Sequence, residues 1–200
     1  GEFSVALEHF QSALSLSREL NDSKMIANNF SNIGNIYMNS MENYEEAMKY
    51  YEQAISSAGT HPKDEEGISY VFSNLGACQS ALGDTVAALK NYIKALSIRT
   101  KIEDKVGIMY SYSNLGVLSL KKKNYNEAEN WFNNSVKAAQ DIHHPFGEAD
   151  AEYYLSSIAF EKKDLKNTEA HGLQAFRISQ EKGYTNIIRN TSLLLKKYYV

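Results

Sequence analysis

The sequence predicts an all-α fold, an α-α superhelix in which helix–turn–helix units stack as a right-handed solenoid. Three observations carry this expectation. A pattern of small and aromatic residues recurs about every 40 residues. Each recurrence holds two stretches of helical periodicity joined by a short polar turn. Only two prolines, beside 14 tyrosines, occur in 200 residues, so little interrupts long helices.

The elements follow in order along the chain. Residues 3–19 carry Ala6, Phe10 and Ala13, the spacing of a second helix, and form a half repeat. Full repeats span 23–57, 64–101, 104–141 and 144–181. A last half repeat, 184–200, has the pattern of a first helix, with Leu195 and Tyr199 on its apolar positions. The first-helix small residue falls at Gly34, Gly76, Gly116 and Ser156. The second-helix small residue falls at Ala47, Ala88, Ala128 and Thr168, followed four residues on by Tyr51, Tyr92, Phe132 and Gly172. Ala54, Ala95, Ser135 and Ala175 continue the register. Small residues at these points let two backbones cross closely. In the second repeat, Phe72, Leu75, Gly76 and Gln79 make one helical face, and Val86, Leu89, Ile93 and Leu96 make the expected apolar stripe of the next helix. Asp84 supplies an N-cap after Gly83, and Asn43, Asn124 and Asp164 stand at the same place. Helices of about 17 residues are roughly 25 Å long.

The chain reads as a single array over 1–200. Both ends are half repeats, and Leu193, Leu195 and Tyr199 carry apolar surface at one of them. The expectation is an excerpt of a longer array that self-associates through its terminal helices.

Composition narrows the function. Hydrophobic residues make up 43%, no run of 18 apolar residues exists, and net charge is −3. Membrane insertion and nucleic-acid binding are not expected. One cysteine, Cys78, fits a reducing, cytoplasmic compartment and reads as a small buried thiol. His143-His144 reads as a solvated turn rather than a metal site, and Lys121-Lys122-Lys123 as a helix end. No nucleotide, zinc-protease or nucleophile-elbow motif is found, so no enzyme, catalytic residue, metal or cofactor is expected.

The pattern resembles the tetratricopeptide repeat, which places a large residue, Leu-Gly, an aromatic, Ala, an aromatic and Ala at fixed offsets. Phe72, Leu75-Gly76, Ala88, Tyr92 and Ala95 match, as do Phe30, Ile33-Gly34, Tyr37, Tyr51 and Ala54. The repeat here is 40 residues rather than 34, which is similar to kinesin light chains, Pins-type adaptors, bacterial Rap-type regulators and arrays fused to bacterial sensor kinases and transcription regulators. Thr100 replaces the usual repeat-end proline. Glu152, Ser156, Ala159 and Gly172 depart from the pattern, so the fourth repeat is expected to pack more loosely.

The resemblance implies that first helices line a concave groove. Its expected peptide-binding residues are Asn32, Asn35, Tyr70, Asn74, Tyr110, Asn114 and Tyr154. Asn offers a donor and an acceptor to an extended backbone, and Tyr offers rigid contact area. The alternative is that Asn32, Asn74 and Asn114 satisfy neighbouring helix groups. Some relatives clamp a terminal carboxylate with cations, but Ser73 and Ser113 stand at those places. The function expected is a non-enzymatic scaffold that binds a peptide or partner helix in a neutral groove. The alternative is a sensor or dimerisation segment of a larger bacterial signalling protein. A Rap-like phosphatase would need a separate catalytic bundle.

Overall fold

Local chemistry sets the helix ends in the computed structural model, which describes residues 2–58 and 64–198. Ten α-helices and no strand occur among them: α1 Glu2–Glu19, α2 Ser23–Asn39, α3 Tyr44–Ala58, α4 Glu65–Ala81, α5 Thr85–Lys101, α6 Lys105–Lys121, α7 Tyr125–Asp141, α8 Pro145–Glu161, α9 Leu165–Lys182 and α10 Thr185–Tyr198. The side chains of Asp22, Asn43, Asp84, Asp104 and Asp164 each accept a backbone N–H from three residues on, at 2.8–3.2 Å. His144 does the same for Gly147, at 3.0 Å, while Pro145 takes the first helical position. Asn124 departs from expectation. Its amide donates to Glu127 at 2.7 Å instead of capping the backbone.

Most of the turns share one geometry. Before each cap, one residue enters the left-handed region: Gly83 at φ 89°, and also Glu103, Lys123, His143 and Lys163 at 52–60°. Two backbone bonds then close the turn. Gly83 N–H donates to Ser80 at 3.2 Å and Asp84 N–H to Gln79 at 2.9 Å, which satisfies carbonyls that the helix end would orphan. His143 and His144 repeat this pair at 3.1 and 2.8 Å. The histidines therefore build a turn, as their position predicted, and His144 also caps a helix.

The chain divides into two compact units, Gly1–Glu103 and Asp104–Val200. In the first, α2 pairs with α3 and α4 with α5, and α2 also touches α4. Its core gathers Leu14, Phe30, Ile33, Ala47, Tyr51, Ala54, Val71, Leu75 and Cys78. In the second, α6 pairs with α7 and α8 with α9, while α8 touches both α6 and α10. Ala128, Phe132, Ala151, Leu155 and Ile158 form one of its clusters. First helices therefore form one layer of each unit.

The repeated glycines seat aromatic rings. A β-carbon at Gly34 would lie 2.7 Å from the Tyr51 ring, at Gly76 2.9 Å from Tyr92, and at Gly116 2.8 Å from Phe132. Gly76 would also meet the Ala88 carbonyl at 3.2 Å, as the predicted crossing requires.

Two expectations are corrected. The stripe Val86, Leu89, Ile93 and Leu96 is not the core face of α5: Val86 is 79% and Ile93 43% exposed. The buried face is Ala88, Asn91, Tyr92, Ala95 and Arg99. Ala88 and Ala95 let the paired backbones approach, and the Tyr92 ring fills the space left by Gly76. The fourth repeat is not loose either. Gly172 takes the place of the aromatic, and Leu195 of α10 fills the space, so a β-carbon at Gly172 would meet it at 2.8 Å. Ser156 donates to the Thr168 carbonyl at 2.7 Å. Leu195 is accordingly buried rather than open. Leu193 is exposed as predicted, and Tyr199 lies outside the described residues.

Candidate functional site

The expected groove residues fall on first helices of both units. In the first unit, Asn32 on α2 and Tyr70 on α4 line one cavity of about 270 Å³, together with Asn28, Ser31 and Val71. Ala27, Ala54, Ala58 and Gly67 also line it, so the space exists because these side chains are small. Tyr70 is 45% exposed. Its ring is held from behind by Arg99, whose guanidinium carbon lies 4.9 Å from the ring centroid.

Asn35 and Asn74 serve the fold. Asn35 Oδ1 accepts from the Tyr51 hydroxyl at 2.8 Å and from the Asn74 amide at 2.9 Å. Tyr51 is fully buried, and burial pushes its phenol up from the usual range. Asn35 thus satisfies the one polar atom of a ring that the core needs for its bulk. Both asparagines of this pair thus have partners within the fold. Asn32 remains on the cavity.

In the second unit, Tyr110 on α6 is exposed and meets the His144 ring edge-on at 5.9 Å. Asn114 is half-buried on the same helix. Tyr154 on α8 stacks on Phe132, with centroids 4.7 Å apart and planes 13° apart. Burial, with the Asp150 charge adding to it, pushes its phenol up to about 12. Tyr154 is therefore a fixed platform and not a titrating group.

Sequence reasoning missed Arg99, which is 2% exposed and donates from Nε to Ser69 Oγ at 3.2 Å. It stands at the register of Ala58, Ala139 and Ser179. That single departure from small residues was a visible signal, although a terminal-turn cation reads as a solvated residue. Cys78 is fully buried, and burial pushes its thiol up to about 11, which leaves it a poor nucleophile. Among the described residues, no group of three or more His, Cys, Asp or Glu is placed to hold a metal, and no helix is long and apolar enough to cross a membrane.

Comparison with known proteins agrees with this architecture. Two family models, both described as tetratricopeptide repeat, match residues 27–61 and 67–141, together more than half of the chain. No curated protein matches the sequence. Aspartyl phosphate phosphatase F from Bacillus subtilis superposes with a TM-score of 0.89 at 16% identity. The match covers 96% of this chain and 50% of that one, so the chain spans half the length of that relative. BtubC (BKLC) from P. vanneervenii gives 0.81 at 14% identity, covering 98% and 84%. The putative kinesin light chain repeats of Podosopora anserina give 0.73 at 14%, covering 92% and 90%.

Proposed function

Since the chain belongs to the tetratricopeptide repeat family, we propose that it is a non-enzymatic protein–protein interaction scaffold that receives a peptide or partner helix on the first-helix face of its units. The observation that carries this reading is the cavity lined by Asn28, Ser31, Asn32 and Tyr70. It offers amides and a hydroxyl for a peptide backbone beside small apolar residues and a braced tyrosine. In the second unit, Tyr110, Asn114 and Tyr154 supply the same side-chain types from α6 and α8. The buried, reduced Cys78 suits work in the cytoplasm.

The test is capture of partners from the source cell, then titration of a purified partner against wild type and Asn32→Ala/Tyr70→Ala. These residues are preferred to Asn74, whose loss would also disturb the bond to Asn35. The double variant is expected to bind at least tenfold more weakly. Binding should depend only weakly on salt in the first unit, since amides and Tyr70 make the contact and Asp64, the charged residue of that lining, is already paired with Lys24 at 3.6 Å. Unchanged affinity would move the interface off this face.

A further inference from the structure

We propose that Asp150, on the first-helix face of the second unit, is the recognition point for a basic side chain, arginine or lysine, of the protein partner. The inference deepens the interaction-face reading and rests on it. Asp150 stands on α8 at the register of Asn28, Tyr70 and Tyr110, the corresponding positions of α2, α4 and α6. Tyr153 and Tyr154 follow three and four residues later, on the same side of the helix. Their ring centroids lie 5.2 Å apart with planes tilted by 56°. Tyr154 is held in place by its stack on Phe132.

Asp150 is half-buried, yet makes no hydrogen bond or ion pair with any described residue. Its neighbours on the helix contrast with it. Glu148 accepts from the Gln140 amide at 3.0 Å, and Glu152 pairs with His171 at 2.6 Å. Burial pushes the Asp150 carboxyl up to about 6. A carboxylate partly withdrawn from water in this way ordinarily finds a partner within the fold, whereas the Asp150 oxygens keep access to solvent. Here Tyr154, held by its stack on Phe132 and close enough for the Asp150 charge to act on its phenol, stands beside it instead, with the Tyr153 ring next to Tyr154. Carboxylate and rings together suit a cation, which gains a charge-assisted hydrogen bond from the first and face contact from the second. An anionic or purely apolar group would gain neither, and would leave the carboxylate desolvated without compensation.

The experiment titrates isotope-labelled protein with N-acetyl-arginine methylamide and N-acetyl-lysine methylamide, followed by NMR. The uncharged N-acetyl-citrulline methylamide serves as control. Saturable binding is expected, with shifts centred on residues 150, 153 and 154. Asp150→Asn should weaken it at least tenfold, while Glu181→Gln, which removes an exposed acid, should leave it unchanged. Failure to saturate, equal binding of the citrulline compound, or full affinity in Asp150→Asn would overturn the proposal. A captured partner separates this inference from the broader one. Binding lost in Asn32→Ala/Tyr70→Ala but intact in Asp150→Asn would overturn the role of Asp150 and leave the face in place. Binding intact in every one of these variants would overturn both.

Discussion

The ring of Phe132 occupies the space that a side chain on Gly116 would need. A β-carbon there would lie 2.8 Å from two ring atoms of Phe132. Gly34 with Tyr51 and Gly76 with Tyr92 repeat the relationship. Glycine in mid-helix costs about 1 kcal/mol in propensity, and the closer seating of a buried ring offsets that cost.

Substitution at this crossing should therefore overpack it. Gly116→Leu is expected to destabilise the protein by about 1–3 kcal/mol, and Gly116→Ala by less, because the Phe132 ring can yield slightly. Thermal unfolding of the two variants checks this. A Gly116→Leu protein that melts with wild type would mean that the ring is not held there.

The turns give a second test. Gly83 has φ 89°, and Lys123 occupies the equivalent left-handed position at φ 56°. Gly83→Ala should cost about 1 kcal/mol, because a β-carbon meets the following carbonyl in this conformation. Lys123→Ala should be nearly neutral, since lysine already carries that strain. Equal losses in chemical denaturation would show that the turn does not discriminate.

A third prediction concerns pH. Glu152 hydrogen-bonds His171 and raises its pKa above the ordinary 6.5, with burial opposing the shift. The folded state then holds the His171 proton more tightly than the unfolded chain does. The stabilisation is fully present below about pH 6.5 and is lost as pH rises through the folded pKa. His171→Gln should thus lower the melting temperature more at pH 5.5 than at pH 9. The opposite order would remove the ion pair from the account.

Asp150 has the same sign for a different reason. Burial raises its pKa from 3.8 to about 6. The free protein gains stability from the protonated carboxyl below pH 4 and loses it as pH rises through about 6. Asp150→Asn should stabilise the unliganded protein at pH 7 by roughly 1–2 kcal/mol, after allowance for remaining solvent contact. Little difference is expected at pH 3.5. Destabilisation at pH 7 would show that the carboxylate has a partner.

The helices were legible in the residues because their causes are local. The expected first helix of residues 23–39 is Ser23–Asn39, and that of 144–162 is Pro145–Glu161. Caps, turn residues and a 3.6-residue period all act within a few positions of the chain. The small-to-aromatic register was legible too, because it repeats. The candidate site was legible only as a set of positions. Which asparagine braces the fold and which lines a cavity depends on partners such as Asn35 and Asn74, 39 residues apart.

By itself, then, the sequence determined the number, ends and pairing pattern of the helices, and the small residues at which they cross. Tertiary structure decided which of two candidate faces of α5 is inside. It turned the aliphatic stripe of α5 outward and set Ala88, Tyr92 and Ala95 inside, where Ala88 and the Tyr92 ring meet Gly76 of the paired helix. It also set Leu195 into the gap left by Gly172, buried Arg99 behind Tyr70, and left Asp150 half-buried beside two tyrosines. The reason is physical. Burial and side-chain partnership depend on neighbours distant in sequence, and a periodic pattern marks a helical face without marking what packs on it.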